Sequence, residues 1–214
     1  MKFRKLMLVL TLVVTAVFVS VIGATYAYYV TASGNISLTT GNSDNAVGVV
    51  FTSDNYIDLN TGVPISSFEV NEYAGKSNFT LTPNLKVYNK YDFDVVIGLS
   101  NIDIDDELKV NDFKYRLVCN HKLIYTDGAV SYGESQVFNG TARDFSGKKY
   151  EIARLSTTEI DEGRFSIDSS SSVSSQMQEC TFYVWLEDNG SDQNNLMNRH
   201  FSSNITVSTI TKKR

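Results

Sequence analysis

The chain has 214 residues, a formal net charge of −5, and only two histidines and two cysteines. The negative charge argues against nucleic acid as a partner, because nucleic-acid binding requires a face rich in Lys and Arg. His121 and His200 belong to no His-Glu-x-x-His pattern, and neither a Gly-x-Ser-x-Gly elbow nor a phosphate-binding glycine loop is present. The sequence therefore predicts no catalytic residue, no metal site and no cofactor.

The N-terminus has the features of an export signal. A basic start is followed by residues 6–24, which contain no charged residue. As a helix this stretch would be about 28 Å long, close to the hydrocarbon thickness of a bilayer. A signal peptide and an uncleaved membrane anchor both fit this length.

Small residues after the apolar stretch favour cleavage. Thr25 and Ala27 occupy the −3 and −1 positions of a signal-peptidase site, so the mature chain would begin at Tyr28. Residues 1–27 contain three basic residues and no acidic residue, so cleavage changes the formal net charge from −5 to −8. We expect an acidic product that is secreted or retained at the cell surface, with membrane contact only through its N-terminal segment.

The remainder of the chain has the composition of an all-β protein. Val, Ile, Thr, Tyr and Phe dominate its apolar runs, while Asn, Asp, Gly and Ser cluster between them. No long amphipathic helical pattern occurs. We predict a single jelly-roll-like antiparallel β-sandwich over residues 46–214, preceded by an N-terminal strand and flexible linker at 28–45. The strand that contains Trp185 has apolar residues on both of its faces, which predicts a central strand of a sheet.

Alternating apolar and polar residues locate the strands. A polar turn at 89–92 predicts a hairpin between two of them, 84–89 and 93–100, and Asp127-Gly128 predicts a second turn. Near-helical spacing within 191–200 predicts one or two helical turns. Strands are expected near 46–51, 66–70, 79–82, 84–89, 93–100, 112–119, 122–126, 129–138, 149–156, 163–168, 180–187 and 203–211.

Cys119 and Cys180 are the only cysteines in the chain. An exported protein reaches an oxidising compartment in which a disulfide between them is allowed. In the chain-entropy model such a bond would stabilise the fold by roughly 4 kcal/mol. The alternative is a pair of separate buried thiols, since two cysteines need not be neighbours in the fold.

The acidic run Asp103–Glu107 is a candidate for calcium, because several oxygen ligands lie close together in one loop. The run lacks the glycine that an EF-hand loop needs for its sharp turn. Lys109 and Lys114 also lie close in sequence. We therefore favour a solvated loop over a calcium site.

The predicted cleavage site resembles that of a known family. The sequence Gly23-Ala24-Thr25-Tyr26-Ala27-Tyr28-Tyr29 is similar to the Gly-x-Thr-x-Ala exit and aromatic start of the TasA/camelysin family of Gram-positive secreted proteins. The C-terminal stretches 181–189, 193–194 and 201–207 resemble the closing strands of such proteins. The resemblance implies cleavage by a SipW-type signal peptidase and a jelly-roll subunit of an extracellular biofilm-matrix fibre.

The same resemblance implies strand donation between subunits. In such fibres the segment after the cleavage site can complete the sheet of the next subunit. The donated strand here would come from residues 28–38, and the residues that give it strand character are Tyr28, Tyr29, Val30, Ile36 and Leu38. Pairing of this segment within its own domain is the alternative.

Two functions fit the sequence. The first is a secreted structural protein that self-associates into fibres. The second is an adhesive or ligand-binding β-sandwich, anchored by an uncleaved N-terminal segment, that binds carbohydrate through aromatic residues such as Tyr56, Tyr73 or Tyr132. Relatives of camelysin have been classed as metallopeptidases, but this chain lacks a recognisable zinc-ligand pattern, and we predict that it is not an enzyme.

Overall fold

The computed structural model describes residues 46–52, 54–145, 147–158 and 163–214, and the regular secondary structure of these residues is mainly β-strand. Two single-turn helices, α1 (Val70–Tyr73) and α2 (Leu85–Tyr88), interrupt the strands. The strands are β1 (Val47–Phe51), β2 (Tyr56–Asn60), β3 (Gly75–Pro83), β4 (Tyr91–Ile104), β5 (Phe113–Tyr125), β6 (Val130–Thr141), β7 (Lys149–Ser156), β8 (Val173–Leu186) and β9 (His200–Lys213). Short 3-10 turns occur at Asp106–Leu108, Ala142–Asp144 and Asn194–Leu196.

The strands form two antiparallel sheets. One sheet has the order β1-β3-β8-β5-β6, and the other has the order β2-β9-β4-β7. Alternate residues of β5 and β8 are buried, because the inner faces of the two sheets contribute to one hydrophobic core. The predicted all-β class is confirmed, with the two antiparallel sheets of a β-sandwich.

Aromatic side chains fill the core near the start of β5. The Tyr115 ring stacks on Phe145 with centroids 5.3 Å apart, and Phe145 stacks on Phe201 at 5.8 Å. Phe113 and Phe182 pack into the same cluster. Large buried rings of this kind contribute strongly to stability because each removes a large apolar area from water. We call this cluster the aromatic half of the core.

Further along the same strands the inner face is polar. His121 of β5 lies opposite Gln178 of β8, and Gln176 is the next inward-facing residue of β8. The Gln176 side chain binds the backbone of Asp168 twice, accepting from its N–H and donating to its carbonyl, both at 2.8 Å. Burial lowers the pKa of His121, so its imidazole is neutral at pH 7. We call His121, Gln176 and Gln178 the polar half.

A disulfide marks the border between the two halves. Cys119 and Cys180 face each other across the β5–β8 pair and are bonded to one another. Both residues are buried. The bond therefore ties together two interior strands of the five-stranded sheet.

Most of the strand predictions are confirmed. Those at 46–51, 93–100, 129–138 and 149–156 correspond to β1, β4, β6 and β7. The two strands expected at 112–126 are one continuous strand, β5, with an irregularity between Asn120 and Lys122. The predicted ranges 79–82, 180–187 and 203–211 lie largely within the longer strands β3, β8 and β9.

Smaller features are confirmed as well. The Asp127-Gly128 turn joins β5 to β6, and the helical turn expected within 191–200 is the one at Asn194–Leu196. Trp185 is 3 % exposed on β8, which is the central strand of its sheet.

Three of the strand predictions are wrong. Residues 85–88 form α2, because the Asn84 side chain accepts a hydrogen bond from the Lys86 N–H and caps a helical turn. The hairpin predicted between 84–89 and 93–100 therefore does not form. Residues 66–69 form a turn that leads into α1, and 163–168 contributes a single bridge, from Arg164 to Ser156. The sequence pattern also missed β2.

The predicted signal segment, 1–27, and the linker, 28–45, lie outside the described residues. Within the described ranges, no helix is long and apolar enough to cross a membrane.

Candidate strand-pairing edge

Four strands lie at sheet edges, where backbone N–H and C=O groups lack a neighbouring strand. Strands β1 and β2 have five residues each, and β7 has eight. Strand β6 has 12 residues and is the longest edge in the part of the chain that the structure describes. It therefore offers the longest row of backbone groups to a partner strand.

The sequence of β6 provides little protection against pairing. Its residues, VSYGESQVFNGT, include one charged side chain, Glu134, and no proline. The side chains of Val130, Tyr132 and Val137 are 50, 60 and 50 % exposed. Edge strands are usually protected by charged residues or proline, so β6 is well suited to accept another strand.

The chain itself covers one half of the β6 edge. The Gln136 side chain donates to the Arg164 carbonyl and accepts from the Arg164 N–H at 2.6 Å. Gly163 also lies close, since a Cβ at this residue would be 2.7 Å from the Phe138 ring. Because Arg164 bridges to Ser156 of β7, residues 163–165 connect the edges of the two sheets. We call this segment the strap.

The other half of the edge, residues 130–135, is not covered in this way. Within the described ranges its backbone pairs with β5 alone. The Lys122 ammonium lies 5.7 Å from the Tyr132 ring centroid and 2.7 Å from the Glu179 carboxylate, so it holds this exposed ring in place. We call residues 130–135 the open edge.

The disulfide fixes β5, the strand that pairs with β6, to β8. Gln136, where the strap begins to cover β6, lies opposite Cys119 in the β5–β6 register. The open edge therefore belongs to the polar half of the core, and the covered edge belongs to the aromatic half. A fixed supporting strand lowers the entropy that the open edge itself would lose when a partner strand binds.

Several predicted site residues lie outside the described residues. They are Thr25, Ala27 and Tyr28 of the cleavage site, with Tyr29, Val30, Ile36 and Leu38 of the donated strand. Sequence reasoning did not identify β6 as a site. The signal that was available is its run of 12 residues with a single charge.

The two histidines occupy different environments. His121 is buried in the polar half, whereas His200 begins β9 with its imidazole 3.6 Å from Asp58 and 4.0 Å from Asp103. Across the described part of the chain, no group of three or more His, Cys, Asp or Glu side chains is placed to hold a metal ion.

Carboxylates of the acidic run serve local structure. Asp105 accepts a hydrogen bond from the His200 N–H at 2.8 Å, which joins the loop to the start of β9. Asp106 pairs with Lys109 at 2.6 Å, and Glu107 pairs with Arg199 at 3.1 Å. These contacts attach the loop to the start of β9 and to Lys109.

The exposed tyrosines proposed for carbohydrate binding are on separate elements. Tyr56 lies on β2, Tyr73 on α1 and Tyr132 on β6, and they are 45, 65 and 60 % exposed. Strands β2 and β6 belong to different sheets. The structure therefore does not combine these three rings into one platform.

A groove of about 450 Å³ lies on the four-stranded sheet over β4, β7 and β9. Gly98 lines it at an irregularity in the β4–β7 pairing, and a Cβ there would lie 2.6 Å from the Tyr150 carbonyl oxygen. A glycine is therefore required at this point for close approach of the two strands. The polar side chains that line the groove are Ser100, Asn101, Lys149, Glu151, Thr206 and Ser208.

No protein-family model matches the chain, and a search of curated proteins finds no match. The resemblance to the TasA/camelysin family therefore depends on the residues around Thr25–Tyr29 and on the C-terminal stretch. The C-terminal stretches supply the end of β8 and half of β9, which are interior strands of the two sheets.

Proposed function

We propose that the protein is a secreted structural protein of the cell surface that self-associates into fibres through the open edge of β6. One observation carries the proposal: the longest edge strand in the described structure has one charged residue, and none of the described segments covers half of it. The donor in this proposal is residues 28–38 of a neighbouring subunit, freed when a SipW-type signal peptidase cleaves after Ala27.

The energetics of strand addition support this assignment. Each additional backbone hydrogen bond contributes a net of about 0.5–1.5 kcal/mol, so several together stabilise an interface. Cross-strand contacts of aromatic and β-branched side chains add roughly 0.2–1 kcal/mol each. Tyr132 and Val130 on the open edge are such residues, as are Tyr28, Tyr29 and Val30 in the proposed donor.

Other features agree with an extracellular jelly-roll subunit. A buried disulfide is typical of proteins that fold in an oxidising compartment. Among the named strands, every connection except that between β5 and β6 crosses from one sheet to the other. Repeated crossing between two sheets supports the jelly-roll fold that we propose.

Charged substitutions on the open edge test the proposal. Val130→Lys combined with Tyr132→Lys should abolish filaments of the exported protein in electron micrographs, because charged side chains oppose edge pairing. Val50→Lys is the matched control, since Val50 is 56 % exposed on β1, the other edge of the same sheet. Filaments that persist in the double variant, or that are lost in the control alone, would contradict pairing at β6.

N-terminal sequencing of the exported protein tests the donor. A start at Tyr28 agrees with cleavage after Ala27 and releases the donor segment from the apolar stretch. A start at Met1 would instead favour a membrane-anchored module.

An adhesive or ligand-binding module is the second candidate, supported by the groove on the four-stranded sheet. Hydroxyl, amide, ammonium and carboxylate groups line it, so it suits a polar ligand such as a short oligosaccharide. Glycan-array binding that is lost on Thr206→Val, with Val50→Lys unaffected, would support this candidate. Equal binding by both variants would contradict it.

A further inference from the structure

A second exposed apolar surface lies in the connection between β2 and β3. Phe68 is 95 % exposed, and Val63 and Tyr73 in the same connection are 74 and 65 % exposed. Single exposed apolar residues are ordinary, but several on one short segment are typical of an interaction site. We call residues 61–74 the Phe68 loop.

Hydrogen bonds hold the Phe68 loop in a fixed conformation. The Ile65 N–H donates to the Leu186 carbonyl at 2.9 Å, and its carbonyl accepts from the Asp188 N–H at 2.9 Å. Both the N–H and the hydroxyl of Ser66 donate to the Glu69 carboxylate, at 3.0 and 2.8 Å, across the turn that carries Phe68. A side chain presented on a preformed turn loses little backbone freedom when it binds.

The surroundings of Phe68 are mainly acidic, and the basic neighbour is Lys76 of β3, whose ammonium donates to the Asn71 carbonyl of the loop at 3.2 Å. The Phe68 loop contains Glu69 and Glu72 and no basic residue, and Glu187 and Asp188 follow at the end of β8. The hydrogen bonds from Ser66 lower the pKa of Glu69, which is therefore ionised at neutral pH. An apolar partner surface with a basic rim would complement this loop.

A surface of that kind lies at the other end of the same strand. Strand β3 begins directly after the Phe68 loop and ends at Pro83, so residues 84–91 lie roughly 30 Å away. Leu85 and Tyr91 there are 43 and 39 % exposed. We call residues 84–91, which include exposed Lys86 and Lys90 and no acidic residue, the basic end.

We propose that the Phe68 loop of one subunit docks on the basic end of a second copy of the chain. The apolar side chains of the two surfaces meet in this contact, and Glu69 and Glu72 face Lys86 and Lys90. The two surfaces differ and lie at opposite ends of β3, so the contact is heterologous and repeats from copy to copy. The inference rests on the proposed self-association but not on strand donation.

Photo-crosslinking tests the contact in the exported full-length protein. Phe68 is replaced by photoreactive benzoylphenylalanine, and equal amounts of ordinary and ¹⁵N-labelled protein are assembled together and irradiated. We expect mixed-isotope crosslinks from position 68 to peptides that contain residues 84–91. The same probe at Val50, which is 56 % exposed on β1, is the control and should give no mixed-isotope crosslinks to these peptides.

The outcomes separate this inference from the proposed function. Filaments whose position-68 crosslinks reach other peptides, or none, would overturn the docking contact and leave self-association intact. A chain that stays monomeric in sedimentation and forms no filaments would overturn both.

Charge exchange provides a second readout that does not require a new side chain at Phe68. Glu72→Lys should weaken assembly by about threefold in sedimentation, as expected for a rim charge pair, and Lys86→Glu should do the same. The two substitutions together should restore assembly, because the opposite charges are again paired. A double variant that assembles no better than either single variant would overturn the contact, and circular dichroism of each variant checks the fold.

Discussion

The two halves of the β5, β6 and β8 strands differ in both interior and edge. The aromatic half packs Tyr115 and Phe182 into a ring cluster, and its β6 edge is covered by the strap. The polar half buries His121 and Gln178, and its β6 edge is open. One set of strands thus combines a stable region with a region that is available for pairing, and the disulfide separates them.

This difference has consequences for local stability. Buried polar side chains contribute less to the stability of a fold than buried aromatic rings. Among the described residues, neither the Nε2 nor the Oε1 atom of Gln178 has a hydrogen-bond partner. Regions with fewer apolar contacts open at lower free energy than the rest of a domain. We therefore expect the polar half to open at a lower free energy than the aromatic half.

The largest expected effect is in the aromatic half. Phe182→Ala should lower the free energy of unfolding by roughly 3–5 kcal/mol, because it leaves a cavity among Tyr115 and its neighbours. Gln178→Leu is the contrasting substitution in the polar half and should be neutral or stabilising. Chemical denaturation measures both. A larger loss from the Gln178 substitution would contradict the division into two halves.

Removal of the disulfide comes next. Replacement of Cys119 and Cys180 by alanine should destabilise the protein by about 4 kcal/mol in the chain-entropy model, given the separation of 61 residues. The transition midpoint in urea, compared with that of the oxidised parent, gives the value. An unchanged midpoint would show that the bond does not constrain the two halves.

Acid should weaken the polar half through His121. Burial holds the pKa of folded His121 below its ordinary value of 6.5, so below that pH the unfolded chain binds a proton that the folded chain does not. The stability that neutral His121 preserves should therefore be present in full above pH 6.5. As the pH decreases from 6.5 towards the folded pKa, the free energy of unfolding should fall by at most about 1.4 kcal/mol per pH unit.

A matched variant isolates this effect. His121→Gln keeps a polar side chain without a titrating group, so the decline between pH 7.5 and 5 should be smaller than in the parent. Equal declines in the two proteins would assign the pH dependence to other groups.

The smallest effect concerns the covered edge. Gln136→Ala removes both side-chain hydrogen bonds to Arg164 and should cost about 1–2 kcal/mol. The Arg164 amide should then exchange faster with deuterium. Ser135 lies on the open edge, and its hydroxyl donates to the Asn120 side chain of β5. Ser135→Ala removes this bond and should leave exchange at Arg164 unchanged.

Much of the strand content could be predicted from the sequence because burial alternates along the strands. In β8, for example, inward-facing Gln178, Cys180, Phe182 and Val184 alternate with partly exposed residues. Helix α2 could not be recognised in this way, since Leu85-Lys86-Val87-Tyr88 also alternates and the decisive contact is the cap from Asn84. Short local hydrogen bonds override a two-residue period when a segment is only one turn long.

The candidate site was less accessible from sequence. Whether β6 is an edge depends on strand order, and that order is set by pairings between residues far apart in the chain. The strap is held on β6 by hydrogen bonds between Gln136 and Arg164, which are 28 residues apart in the chain. The low charge of residues 130–141 is visible in the sequence. It does not distinguish a pairing site from an interior strand, however, unless the strand is already known to lie at an edge.

Hydrogen exchange of β6 during assembly tests the central claim most directly. Peptides covering the open edge, 130–135, should exchange at least about tenfold more slowly in the assembled protein than in the monomer, because their backbone groups gain a partner strand. Peptides covering β1, 47–51, serve as the internal reference and should exchange alike in both states. Unchanged exchange at 130–135 in assembled protein would contradict pairing at this edge.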